Sequence, residues 1–232
     1  VLKLKTKFLS NYSTTHLKLE MKNLFSLLLV TAILGFFASC QNAPKGAEAM
    51  TDAAKKVAAP AMAAKTYKVD GAASKVNWTG TKVTGSHTGT FNINSGTVQT
   101  KDGKVVGGNF NIDINSMMCT DLEAGNGKEK LEGHLKSADF FDTAAHPNST
   151  FAITSVANGN VTGNLTLKGV TKSITFPATI NVTDSGVSVM TNDFTINRTD
   201  FGMKYGSASF FDDLKDKAIN DAVGLKVMLK AS

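Results

Sequence analysis

VTGNLTLKGVTKSITFPATINV, residues 161–182, decides the fold class, because apolar side chains recur at alternate positions over two successive runs. Val161, Leu165 and Leu167 alternate with Thr162, Asn164 and Thr166. Ile174, Phe176, Ala178, Ile180 and Val182 alternate with Thr175, Pro177, Thr179 and Asn181. A period of two is the spacing of one face of a β-strand, where a helix would repeat every 3.6 residues. Between the runs, residues 168–172 contain the turn former Gly169, so the stretch reads as a β-hairpin.

The same alternation recurs in KVNWTG (75–80), GTFNINSGTV (89–98), GGNFNIDINS (107–116), STFAITSV (149–156), GVSVMTNDFTIN (186–197) and VGLKVMLKA (223–231), separated by Gly, Asn, Asp and Ser. Strands with one apolar face and one Thr/Asn/Lys face describe an all-β, antiparallel sheet that is dry on one side. Closing the sheet removes its unpaired edges, and about eight strands enclose an interior that side chains fill or that holds one small ligand. Phe91, Ile93, Phe110, Ile112, Phe151, Leu165, Phe176 and Phe194 are then expected to point inward. Two segments break the pattern: NGKEKLEGHLKS (126–137), with Leu131 and Leu135 four apart, and FFDDLKDKAIND (210–221), with Phe211, Leu214 and Ala218. Each suits a short helix over a barrel end.

Toward the N-terminus the chemistry changes. KNLFSLLLVTAILGFFASC (22–40) has one Lys, an apolar run from Leu24 to Phe37, and small residues ahead of Cys40. That is the layout of a secretory leader, too short for a comfortable membrane span. Ala38-Ser39-Cys40 resembles the lipobox of bacterial lipoproteins, with Phe37 a departure from the usual Leu, and implies that the Cys40 thiol is acylated and anchors the chain to a membrane. Residues 21–39 are therefore expected to be a signal peptide, and residues 1–20, ahead of Met21, an upstream extension. Residues 40–64, rich in Ala and Lys without an aromatic residue, read as a flexible tether. Residues 65–232 remain for one barrel domain. Cys119 is the only other thiol, so no intrachain disulfide is available to the domain. Residues 1–39 carry five Lys and one Glu, which leaves 20 of the 25 basic and 18 of the 19 acidic residues, a net of +2. A balance so near neutral does not suggest a nucleic-acid partner.

Several stretches together resemble the YceI-like family of bacterial lipid-binding proteins. They are GHLKSADFFD followed by His-Pro and Phe (133–151), VTGNLTLKGVTKSITFPATI (161–180), NRTDFGMKYGSASFFDDLKDKAIND (197–221) and the closing VGLKVMLKA. The resemblance spans about Tyr67 to the C-terminus. It implies a lipocalin-like antiparallel barrel whose elongated cavity takes a long apolar chain such as a polyisoprenoid or isoprenoid quinone.

EGHLKSADFFDTAAHPNSTF (132–151) is the one stretch where catalysis or metal binding has to be weighed against structure. A metal site would need His134, Asp139, Asp142 and His146 to converge, yet no HxH, HExxH or CxxC spacing supports it. No GxSxG elbow is present, and Cys119 has no histidine near it in sequence. Most of the stretch therefore reads as helix end, core Phe, turn and strand. Phe140 and Phe141 are expected to close one end of the cavity and touch ligand. Arg198 reads as an ion pair with Asp200 or as a headgroup contact at the mouth, and Trp78 as core or ligand platform. These residues, with the eight inward ones, make the expected ligand site of an extracytoplasmic, non-enzymatic lipoprotein without a metal or other cofactor, facing the periplasm or cell surface. Its partners are a lipid ligand and, through the acyl anchor, a membrane; a dimer is compatible. The runner-up readings are a filled-barrel scaffold of the cell envelope and a metal protein using His134 and His146.

Overall fold

The computed structural model describes residues 43–57, 59 and 63–232. The expected upstream extension, signal peptide and acylated Cys40 lie outside the described residues. The strands are β1 (Ala47–Glu48), β2 (Met50–Ala53), β3 (Lys65–Lys68), β4 (Lys75–Lys82), β5 (Gly85–Lys101), β6 (Lys104–Cys119), β7 (Asn148–Ala157), β8 (Asn160–Leu167), β9 (Val170–Thr183), β10 (Gly186–Thr191), β11 (Phe194–Asn197) and β12 (Ala222–Ala231). Among the described residues one α-helix, α1 (Lys128–Lys136), joins β6 to β7.

Consecutive pairing from β4 to β10, then β10 with β12 and β12 with β4, closes eight antiparallel strands into a barrel. The hairpin read from residues 161–182 is β8–β9, with Val161 opposite Phe176 and Leu167 opposite Val170. Its turn is only Lys168-Gly169, at φ 48° and 75°, as are Asp102-Gly103 between β5 and β6 and Asn158-Gly159 between β7 and β8 at similarly positive φ. Two successive residues at positive φ make the turn whose twist matches the strands it joins. GVSVMTNDFTIN is not one strand but two, because the chain leaves β10 at Asn192 and re-enters as β11 lower on β12.

That break leaves a seam. β10 covers only Ala178–Thr183 of β9, so Lys172–Thr175 has an open edge, and β11 has another. Residues 47–53 run into the gap: β2 pairs antiparallel with Lys172–Thr175, and β1 pairs parallel with Phe194 and Thr195. This corrects the tether reading for those residues. Unpaired backbone groups are costly, and pairing them needs no large side chain. Alanine-rich composition therefore conceals the segment. Only Ala49 is buried, and its N–H donates to Thr195 O at 2.7 Å.

Of the two expected helices only α1 forms. Leu131 and Leu135 pack its apolar side on the core. Residues 210–221 are instead a loop with one 3-10 turn at Lys215–Lys217. Asp213 and Lys215 sit at positive φ, which interrupts an α-helix, and the carbonyls of Ile219 and Asn220 are taken by Arg198.

Candidate ligand-binding cavity

The inward faces do not fill the barrel. They enclose a cavity of about 600 Å³, inside the ~300–1,000 Å³ range of small-molecule sites. All twelve residues picked out from the sequence line it: Trp78 on β4, Phe91 and Ile93 on β5, Phe110 and Ile112 on β6, Phe151 on β7, Leu165 on β8, Phe176 on β9, Phe194 on β11, Phe140 and Phe141 after α1, and Arg198 after β11. Two aromatic walls result. Phe110, Phe151, Phe176 and Phe194 form a row with successive centroids 6.3, 5.6 and 4.6 Å apart. Trp78, Phe91 and Phe141 form the other, at 6.5 and 5.5 Å. Trp78 lies flat against Gly89, where a Cβ would come within 2.4 Å of the indole. Its Nε1 is buried without a hydrogen-bond partner.

Further lining residues, Val76, Ile180, Val189, Leu225 and Val227, share the strand parity already read and were within reach of the same alternation. Met203 and Tyr205 also line the cavity but lie in a loop, where no periodicity marks them.

The stretch after α1 folds back onto the helix end. Ser137 Oγ donates to His134 O at 2.7 Å, and the N–H groups of Phe141 and Thr143 donate to Leu135 O and Lys136 O, each at 3.0 Å. Carbonyls that a helix leaves unsatisfied are thereby paired. The turn presses Phe140 into the interior, 6% exposed, and sets Phe141 edge-on to Phe91. His134 bonds Asp139 at 3.1 Å and meets the rings of Phe140 and Tyr205 edge-on. His146 lies against Gly169 of the β8–β9 turn. Among the described residues these histidines do not form a metal-binding group with Asp139 and Asp142.

Arg198, 2% exposed, corrects another expectation. Its ion pair is with Asp221, at 3.2 Å, rather than with its neighbour Asp200. Nε donates to Asn220 O, Nη1 to Met203 O and Tyr205 O, and Nη2 to Ile219 O and Asp221 Oδ1. All five N–H donors are thus used within the protein. Burial pulls the guanidinium pKa down from its ordinary value and Asp221 opposes the shift. The cation also lies over the Phe140 ring, 5.9 Å from its centroid. What remains for a headgroup is the cavity's solvent-exposed rim, to which Lys82 at the end of β4, Thr84, Asp216 and Lys217 contribute.

Residues 67–231 match the family model described as "YceI-like domain". A UPF0312 protein of Pseudomonas putida is 34% identical over 169 residues, covering 63% of this chain and 80% of that protein. Among solved structures, Burkholderia cenocepacia BcnA is similar with a TM-score of 0.55 and 25% identity, over 71% of this chain and 99% of that one. A polyisoprenoid binding domain from Saccharophagus degradans, implicated in plant cell wall breakdown, has a TM-score of 0.52 at 18% identity, over 72% and 97%. At that identity the likeness speaks for the fold.

Proposed function

The chain belongs to the YceI-like family, and from that premise we propose that it binds a long-chain amphiphile, such as a polyisoprenoid or isoprenoid quinone, inside the barrel, for sequestration or transport and without transforming it. The observation that carries the reading is a cavity of about 600 Å³ whose lining is mostly apolar, with the exposed charges Lys82, Asp216 and Lys217 at its rim and the one buried charge, Arg198, already paired within the protein. A tail entering it loses contact with water at about 2.5 kcal/mol per 100 Å² of apolar surface, before the cost of association. Lys82 and Lys217 at the mouth favour an oxygen-rich or anionic headgroup. The polyisoprenoid-binding neighbour supports the same class of ligand. An unfilled interior speaks against a filled-barrel scaffold. Within this proposal Cys40 carries the acyl anchor, and the barrel works on the outer side of the membrane that the leader crosses.

Trp78, the only tryptophan of the chain, lines the cavity and reports on it directly. Titration with apolar chains of graded length should change its fluorescence saturably at one ligand per barrel, with affinity rising with length until the cavity is full. Native mass spectrometry of protein from its own cells should show a bound lipid. A fluorescence signal indifferent to every chain, together with a lipid-free native mass, would sink the reading.

A further inference from the structure

The start of β5 and the end of β6 meet beside Trp78, and His87 there also lines the cavity. Their pairing sets Gly89 opposite Cys119 and Thr90 opposite Met118. His87 is thereby brought beside a cysteine 32 positions further along. Asp121, two residues past Cys119, turns back between them. Its Oδ1 accepts the Thr88 N–H at 2.7 Å and the Cys119 thiol at 3.2 Å, and its Oδ2 lies 2.9 Å from His87 Nδ1. One ligand atom from each of the three residues lies within 4.8 Å of the others.

We propose that His87, Cys119 and Asp121 form a site for one zinc-class divalent ion. Thiolate, imidazole and carboxylate are the donors zinc takes, at about 2.0–2.3 Å, which puts tetrahedral ligand atoms roughly 3.3–3.6 Å apart. The carboxylate's two oxygens lie a few tenths of an ångström closer than that to the sulfur and to the nitrogen, and all three ligand atoms lie within 4.8 Å of one another, so an ion is taken with a local adjustment of the cluster. Three protein ligands leave the fourth position to water. The ligands are held from behind: Thr88 N–H fixes the carboxylate, and Glu132 of α1 accepts the Cys119 N–H at 2.7 Å, bringing a second carboxylate beside the site. Cys119 is wholly buried, whereas the His87 and Asp121 side chains are about one-third exposed, at 34% and 32%.

The proton balance is simple. Without metal Cys119 is a thiol, since burial and the Asp121 carboxylate raise its pKa. The ion displaces that proton, and the proton on His87 Nδ1 is carried on Nε2 instead. One proton is released per ion and no electron moves. Affinity should therefore rise about tenfold per pH unit through neutrality.

The test titrates the purified chain, stripped with chelator and kept reduced, with Co(II) as a spectroscopic stand-in and then with Zn(II) in competition. One equivalent should bind with a thiolate-to-cobalt charge-transfer band and tetrahedral ligand-field absorption, both reversed by zinc. Cys119→Ser should abolish the band, His87→Ala should weaken binding at least tenfold, and a His134→Ala/His146→Ala variant should bind as wild type does. His87 is partly exposed, so its variant keeps the test intact even if Cys119→Ser does not fold. Absence of the charge-transfer band in wild type, or binding that survives His87→Ala unchanged, overturns the proposal.

Discussion

Phe176 of β9 and Phe194 of β11 stack with centroids 4.6 Å apart and planes only 7° from parallel, although their strands do not pair with each other. The rings face each other beside the seam that residues 47–53 close, so one contact joins the cavity wall to that seam. Truncating such a buried ring costs about 3–5 kcal/mol, against a total of ~5–15 for a domain. Phe176→Ala should lower the unfolding free energy measured by urea titration by that much, and Phe176→Asp, which adds a buried charge, should leave no folding transition. A Phe176→Asp variant that melts like wild type would mean that the stack contributes nothing.

Phe140 and Phe141 are neighbours with different work. Phe140 is buried among His134, Tyr205 and Arg198, whereas Phe141 is half-buried and meets Phe91 on the cavity wall. Phe141→Asp is expected to reduce lipid content, measured by extraction, several-fold with a modest fall in melting temperature. Phe140→Asp should lower both together. Full lipid retention in Phe141→Asp would remove that residue from the ligand site.

Arg198→Lys keeps the charge and loses the geometry. A lysine has three donors where five acceptors are arranged, so at least two of these buried or part-buried oxygens lose their partner, and about 3 kcal/mol of stability should be lost in denaturant titration. Asp200→Ala should stay within about 0.5 kcal/mol, because Asp200 is not the partner. The reverse order would restore the sequence-neighbour ion pair.

Asp121 gives the metal-free protein an acid limb. Burial alone raises its pKa, but the Thr88 N–H, His87 and Cys119 bonds outweigh it and hold the folded value below the ordinary one. A folded pKa below the unfolded one means that the unfolded chain binds the proton more tightly, so stability falls as pH falls. The contribution is complete above the unfolded value of about 3.9 and disappears as pH drops through the folded one. Melting temperature followed from pH 5 downward should fall more steeply in wild type than in Asp121→Asn. Parallel curves would show that the carboxylate is not linked to folding.

Cys40→Ala should leave the chain unacylated and shift it from the membrane to the soluble fraction, or leave it unprocessed. Identical partitioning of wild type and variant would refute the anchor.

Much of this architecture is legible without coordinates because it is local. Alternation placed Phe110, Phe151 and Phe176 on one inward face, and Leu131 with Leu135 located α1. What escaped depends on contacts made across the chain. Ala47–Ala53 becomes strand only because β9 and β11 offer open edges. Residues 210–221 carry a plausible helical stripe, but Arg198 draws their carbonyls away. His87 and Cys119 become neighbours through strand register, which spacing along the sequence does not reveal.

Closure by β12 has a kinetic consequence. Ser74 bonds to Lys230 O across 156 positions, and β4, the first barrel strand, finds its second partner only in β12. Contacts this distant in sequence fold slowly, since loop closure precedes the interactions that reward it. A chain delivered N-terminus first therefore waits, with β4 and β10 as open edges, until β12 arrives. Removal of β12 should leave an aggregation-prone open sheet, however complete the other strands are.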